Sequence, residues 1–292
     1  MGASTAPQQR YRENPVVAAA IGFVGGVIGG LFGGGSGVFY VPALEKFTPL
    51  SRPSLHGTAG AANIAVTGVG AVTFALVGGS VDLRAGAGLV IGATLGAFFG
   101  AKLILVVPQK LLRWLFVGIL LATSLKLFLD VIGRDPLEGS AILSEALIAD
   151  LAFTIPVAIV LGLLIGAWAA GMGLGGGLLA VPVLMLLFGT DLPTAVGTSL
   201  MMFFPNAVVG TIVHARQGTA DLGLGVLLNC GALPGAVLGA LAALSLSGHA
   251  LSAFFAGFAL AVALRELYRM RGSSGETAAG KRDESIDPHV LD

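Results

Sequence analysis

Long stretches without a charged side chain constrain the fold of this sequence more than any other feature. A transmembrane helix needs about 20 apolar residues to cross roughly 30 Å of hydrocarbon. Gaps near or above that length lie between the charged residues at 13 and 45, 52 and 82, 84 and 102, 150 and 191, 191 and 216, and 221 and 265. Only 11% of the residues are charged, against about 25% in soluble domains. No segment alternates as the strands of a membrane barrel do. The sequence therefore predicts an all-α polytopic membrane protein.

The charge balance and the cysteine content exclude several functions. Lys and Arg number 16, as do Asp and Glu, so no basic surface is available to neutralise nucleic acid phosphates. The single cysteine, Cys230, excludes a disulfide framework and a multi-cysteine metal cluster. No haem, flavin or metal motif is visible, so we expect no cofactor.

The two halves of the sequence match each other. At a shift of 140 residues, the coinciding residues are Gly33, Gly35, Gly37, Pro42, Gly57 and Thr58 with Gly173, Gly175, Gly177, Pro182, Gly197 and Thr198. At a shift of 139 they are Asp82, Gly92, Gly96 and Gly100 with Asp221, Gly231, Gly235 and Gly239. This predicts a polar tail over 1–15, a transmembrane repeat over 16–132, a linker over 133–145, a second repeat over 146–270 and a disordered tail over 271–292.

Each repeat combines one glycine-interrupted segment with three transmembrane helices. As one helix, residues 148–188 would be about 60 Å long, twice the hydrocarbon thickness. The segment must therefore break at its glycines, near 171–177, and its counterpart near 33–37. If the chain crosses once at each break, cations are poorly separated between the two sides. If it turns back, Lys46, Arg52, Lys102, Lys110 and Arg113 share the cytoplasmic side, which the positive-inside rule favours. Turning back makes the repeats inverted copies and places both termini in the cytoplasm.

Duplicated halves with broken helices are typical of secondary transporters, which bind substrate near mid-membrane. A helix that begins at such a break presents backbone N–H groups and a positive dipole end to an anion. The alternative is that the small residues only permit close helix packing. We interpret in this way the two glycine ladders, which are the glycines spaced by four residues over Gly92–Gly100 and Gly231–Gly239. The candidate substrate-binding residues are Gly33, Gly35, Ser36, Gly37, Gly57, Thr58, Asn63, Gly173, Gly175, Gly176, Gly177, Gly197, Thr198, Ser199 and Asn206.

Two doubled motifs resemble a known family. The segments are Gly33-Gly-Gly-Ser-Gly-Val-Phe-Tyr-Val-Pro42 and Gly173-Leu-Gly-Gly-Gly-Leu-Leu-Ala-Val-Pro182, each followed by Gly-Thr at 57 and 197. They resemble the sulfite exporter TauE/SafE family of membrane permeases, over about residues 16–270. The resemblance implies transport of small sulfur-containing or organic anions, such as sulfite and organosulfonates, and implicates the motif glycines, prolines and hydroxyls. The halves differ at Ser36 against Gly176, so they need not contribute equally.

A few polar residues have individual interpretations. His56 and His214 lie near span ends, and histidine is the side chain that changes charge near neutral pH, so they are candidates for proton coupling or simple interfacial residues. Asn63 and Asn206 lie within spans, where an amide contacts substrate or bridges helices. Asp82 and Asp221 precede helices and are predicted N-caps.

The sequence thus predicts a secondary transporter, most simply an exporter of a small anion, in a bacterial-type inner membrane. Its expected partners are the anion and the lipid bilayer, with no nucleic acid, and a homo-oligomer is left open. An anion channel is the alternative within the same class. An intramembrane serine protease that uses Ser36 is the alternative from another class, and the duplication argues against it because Gly176 replaces the serine in the matched loop.

Overall fold

The computed structural model describes residues 14–78, 81–106, 109–134, 141–172 and 176–283. Within these ranges the chain forms eleven α-helices and no strand, so the predicted all-helical fold is confirmed. Seven stretches are long and apolar enough to cross a bilayer. The helices are α1 (Pro15–Phe32), α2 (Gly37–Phe47), α3 (Arg52–Thr73, extended by a π-helical turn at Phe74–Gly78), α4 (Leu83–Val106), α5 (Gln109–Val131), α6 (Glu145–Ala149), α7 (Leu151–Met172), α8 (Gly177–Phe188), α9 (Leu192–Arg216), α10 (Leu222–Ser245) and α11 (Gly248–Asp283).

The first glycine-rich segment breaks the helix and turns the chain back. Gly33 and Gly34 have φ values of 81° and 92°, which L side chains rarely adopt, so α1 ends there. Tyr40 of α2 then lies against Gly25 of α1, and its hydroxyl donates to the Gly22 carbonyl at 3.0 Å. Helix α2 therefore packs back along α1 after this break.

The second glycine-rich segment also ends a helix. Helix α7 ends at Met172 and α8 begins at Gly177, as predicted, whereas Gly173 and Gly175 lie outside the described residues. The two breaks meet: a Cβ on Gly177 would overlap the carbonyl oxygen of Gly33. Only glycine permits this backbone contact, so the matched glycines bring the two interrupted segments together.

The two halves are intertwined through their first helices. The most extensive helix contacts join α4 to α7 and α10 to α1, so the first helix of each half lies along a helix of the other half. Glycines make these contacts close: Gly92 and Gly96 lie on the α7 backbone, and Gly231 and Gly235 lie on the α1 backbone. The packing interpretation of the glycine ladders is confirmed at these positions.

The central pair of helices, α3 and α9, runs antiparallel. Gly57 near the start of α3 lies beside His214 near the end of α9, and Gly70 lies beside Leu200. By contrast, α10 runs parallel to α3, since the amide of Ala65 donates to Asn229 at 2.9 Å and the amide of Asp221 donates to Thr58 at 3.0 Å. We call the end of the bundle at which α3 begins and α9 ends the histidine end, because His56 and His214 lie there.

The segments outside the two repeats are only partly described. Residues 1–13, 135–140 and 284–292 lie outside the described ranges. The short helix α6 begins at Glu145, the last residue of the predicted linker, and α11 extends to Asp283, past the predicted boundary at 270.

Candidate functional site

A cavity lies between α3 and α9, beside the first break. Its volume is about 30 Å³, enough for one or two water molecules. It is lined by Gly34, by His56, Gly60, Asn63 and Thr67 of α3, by Ala169 and Ala170 of α7, and by Phe203, Asn206, Ala207, Gly210, Thr211 and His214 of α9. The cavity therefore extends from the break toward the histidine end.

The polar groups of this cavity are two amides, two hydroxyls and two imidazoles. None of the lining residues that the structure describes is Lys, Arg, Asp or Glu. A bound solute would consequently meet polar side chains without a carboxylate to repel an anion.

Asn63 fixes the first break to α3. The Ser36 hydroxyl donates to Asn63 Oδ1, Asn63 Nδ2 donates to the Ala59 carbonyl at 3.2 Å, and Thr67 donates to the Asn63 carbonyl at 2.7 Å. Ser36 is fully buried, and its partner here is an amide and not the histidine base that a serine nucleophile requires.

Asn206 of α9 holds neighbouring helices together. Its Nδ2 donates to the carbonyls of Ala93 at 2.8 Å and Gly166 at 3.3 Å, so one side chain joins α4, α7 and α9. Asn206 also lines the cavity. Asn206 therefore bridges helices, which is one of the two interpretations of the intramembrane asparagines, and its contact with a substrate stays a prediction.

His214 lies at the histidine end with both ring nitrogens in contact. Nε2 is 3.3 Å from the Ala170 carbonyl, and Nδ1 is 2.9 Å from Thr219 Oγ1. Since a carbonyl only accepts, Nε2 bears a proton, and Nδ1 accepts from Thr219 when the ring is neutral. When the ring is protonated, Nδ1 donates to Thr219, whose hydroxyl can donate to the His214 carbonyl at 3.2 Å. The same contacts thus accommodate either protonation state. His56 lines the same cavity from α3.

The predicted threonines of the Gly-Thr motifs bond across the two halves. Thr58 Oγ1 accepts from the Asp221 amide at 3.0 Å, and Thr198 Oγ1 accepts from the Asp82 amide at 2.8 Å. Asp221 and Asp82 accept from the amides of Leu224 and Ala85, which confirms both N-caps. Of the neighbouring glycines, Gly57 lies on the Thr219 carbonyl, and Gly197 is buried in α9. These reciprocal bonds fix the starts of α4 and α10.

Ser199 and the motif glycines gather where the two breaks meet. The Ser199 hydroxyl donates to the Gly33 carbonyl at 2.7 Å, Gly35 lies against Leu178, and Gly176 lies against the Phe203 ring. Gly37 and Gly177 are buried at the first turns of α2 and α8. Phe203 of this group also lines the cavity. Gly34, which lies between Gly33 and Gly35 in the first break, lines it as well.

Among the cavity residues that sequence reasoning missed are Gly60, Thr67, Phe203, Gly210 and Thr211. A signal for them exists in the helical period. The α3 positions 56, 60, 63 and 67 lie on one helix face, as do the α9 positions 203, 206, 210 and 214. A stripe of small and polar residues along one face of a transmembrane helix predicts a polar path beside that face.

Comparisons with known proteins agree with this architecture. The family described as "Sulfite exporter TauE/SafE" matches residues 2–127 and 158–289. A probable membrane transporter protein of Xylella fastidiosa (strain 9a5c) is 30% identical over 258 residues, which cover 84% of this chain and 93% of that protein. The probable membrane transporter protein YdhB of Bacillus subtilis (strain 168) is 28% identical over 220 residues, which cover 75% of this chain and 86% of that protein. Among solved structures there is no match.

Proposed function

Because this chain belongs to the sulfite exporter TauE/SafE family of membrane transporters, we propose that it is a secondary transporter of a small anion, such as sulfite or an organosulfonate. The observation that carries the proposal is the cavity between α3 and α9, which adjoins the first glycine break and has polar side chains from both halves. Substrate sites between repeats, next to broken helices, are the general arrangement of secondary transporters.

The chemistry of the cavity favours an anion. Helix α2 begins at Gly37, directly after the break, and its amides at Val38, Phe39 and Tyr40 donate to the carbonyls of Gly35 and Ser36, so the helix acts on an anion through its dipole. The dipole of α2 adds positive potential at the same end. With no lysine or arginine among the described lining residues, the anion is held by dipoles and hydroxyls, which suits a substrate that must also be released.

We further propose that the two repeats are inverted and alternate in exposing this site. The antiparallel contacts of α3 and α9, which are matched helices of the two repeats, support this arrangement. So does the turn of the chain after Gly33, because it lets α1 and α3 run in the same direction. In the conformation described here the cavity extends toward the histidine end, so this conformation corresponds to exposure on that side.

The histidine end is the cytoplasmic end in this proposal, within a bacterial inner membrane. Lys46, Arg52, Arg113 and Arg216 lie there, where α2 and α9 end and where α3 and α5 begin. This distribution follows the positive-inside rule and places both termini in the cytoplasm. Export of an anion is then favoured by about 2.3 kcal/mol per charge for each 100 mV of membrane potential, so the gradient alone can drive it. His56 and His214 are the residues through which a proton would be coupled if the transporter also uses one.

A thermal-shift screen tests the ligand class. The purified protein is heated with sulfite, sulfoacetate, taurine, sulfate and acetate at millimolar concentrations. A ligand present at 100 times its Kd stabilises the folded protein by about 2.7 kcal/mol, which gives a measurable rise in Tm. If no anion raises the Tm, the proposed substrate class is wrong.

Transport in proteoliposomes separates a carrier from a channel. Vesicles loaded with the unlabelled form of the stabilising anion are diluted into the labelled form. A carrier gives saturable uptake and transient counterflow above equilibrium, because one site exchanges the two forms. Flux that is linear in concentration and shows no counterflow would indicate a pore.

A further inference from the structure

The hydroxyl of Thr211 is buried without a hydrogen-bond partner. Thr211 is 8% exposed, and in the part of the chain that the structure describes its Oγ1 is the one buried hydroxyl oxygen left unpaired. A buried polar group without a partner is unfavourable and rare in folded proteins. The Thr211 hydroxyl therefore marks a place where a molecule outside the chain forms the missing hydrogen bond.

Other buried threonines of this protein do not share this state. Thr67 and Thr123 donate to the carbonyl four residues earlier, at 2.7 and 2.8 Å, as does the half-buried Thr94 at 2.7 Å. This is the ordinary solution for a threonine inside a helix, and for Thr211 the corresponding acceptor is the carbonyl of Ala207. Because Thr211 does not make this bond, its hydroxyl remains available to the cavity that it lines.

The surroundings of Thr211 provide both space and matching chemistry. A Cβ added to the adjacent Gly210, or to Gly60 across the cavity on α3, would meet no atom of the described residues within 4 Å. His214 follows Thr211 by nearly one helical turn and lines the same cavity, as does His56. Thr211 thus faces an open space whose described lining groups, apart from Phe203, are polar or small and bear no carboxylate.

We propose that the Thr211 hydroxyl binds the transported anion directly, by donating a hydrogen bond to one of its oxygen atoms, and that it contributes to the preference for oxyanions. This inference rests on the proposed function and assigns a contact residue within that site. An anion can only accept, and a hydroxyl can turn its proton toward it. The matched position in the first half is Ala71, so only the second half provides this contact.

Three variants of the full-length protein test the assignment. Thr211→Val keeps the shape of the side chain and removes the hydroxyl, Thr211→Ser keeps the hydroxyl, and Thr123→Val is the control in α5. Binding of sulfite and of sulfoacetate is measured by calorimetry, and the Tm is measured without ligand. We expect Thr211→Val to weaken binding roughly 10- to 150-fold, the range for a hydrogen bond to a charged group. Thr211→Ser and Thr123→Val should bind as the wild type does.

The Tm without ligand gives a second, independent criterion. Since the Thr211 hydroxyl has no partner in the protein, Thr211→Val should leave the Tm unchanged or raise it, whereas Thr123→Val should lower it. A lower Tm for Thr211→Val would show that the hydroxyl bonds within the protein and would overturn the inference. Unchanged affinity of Thr211→Val for both anions would show that the hydroxyl binds only water, and this result would also overturn the inference. If the wild type binds neither probe and no other anion of the thermal-shift screen, the proposed function fails, and the inference fails with it.

Discussion

Filling the cavity with single methyl groups is the most direct test of where the substrate binds. Gly60 and Gly210 line the cavity from opposite sides, and a Cβ at either position would meet no described atom within 4 Å. Gly60→Ala and Gly210→Ala therefore add volume without a clash. The cavity has about 30 Å³, and one water molecule needs about 10 to 15 Å³ of such space, so one methyl group removes a large part of it.

The expected effects on stability and on binding have opposite signs. Replacing glycine by alanine inside a helix stabilises it by up to about 1 kcal/mol, so the Tm of each variant should stay level or rise. Accommodating a substrate against an added methyl group costs about 1 to 3 kcal/mol, which corresponds to roughly 5- to 150-fold weaker binding. Loss of affinity together with retained stability is a signature that a folding defect does not produce.

Gly118→Ala in α5 and Gly257→Ala in α11 are matched controls. A Cβ at these helical glycines also meets no described atom within 4 Å, and neither residue lines the cavity. All four variants are compared by Tm, by affinity for the anion that stabilises the wild type most, and by initial transport rate in proteoliposomes. Wild-type affinity and rate in both cavity variants would refute the location of the site. Equal losses in the controls would show that glycine replacement itself is responsible.

Three further predictions concern the scaffold, the orientation and the coupling. Thr58→Val removes the acceptor of the half-buried Asp221 amide and should cost about 0.5 to 1.5 kcal/mol, seen as a lower Tm with an unchanged order of preference among anions; a changed order would place Thr58 in the site. A cysteine at Ser51, in a variant that lacks Cys230, should react with an impermeant thiol reagent only from the cytoplasmic side, and reaction only from outside would reverse the orientation. His214→Gln should abolish any drive of transport by a proton gradient across the vesicle membrane, whereas His249→Gln should retain it; unchanged drive in His214→Gln would exclude His214 from proton coupling.

The scaffold could be predicted because local chemistry and the internal duplication determine it. Charge-free length fixes the transmembrane helices, and glycine at positive φ fixes the end of α1 at Gly33 and Gly34. The N-caps at Asp82 and Asp221 follow from their positions before helices. Each of these features depends on a few neighbouring residues or on a matched pair, so the sequence is sufficient to predict it.

The cavity could not be predicted in the same way, because it depends on residues in which the two halves differ. Thr58 and Thr198 are matched, and they make the same contact in each half. Gly60, Thr211 and His214 line the cavity, but their matched positions hold Leu200, Ala71 and Phe74. A comparison of the halves therefore finds the contacts that hold them together and overlooks the residues that make one face of the interface polar and open.

The exchange of first helices between the halves has a consequence for how the protein is made. During synthesis α1 emerges long before α10, and the glycine-lined face against which α10 packs stays uncovered until the second half has been inserted. Neither half can bury its own first helix, so a chain truncated after α5 should be degraded unless the other half is supplied separately. A protein with only one copy of the repeat would be stable only as a dimer of identical subunits in which each subunit packs its first helix against the other.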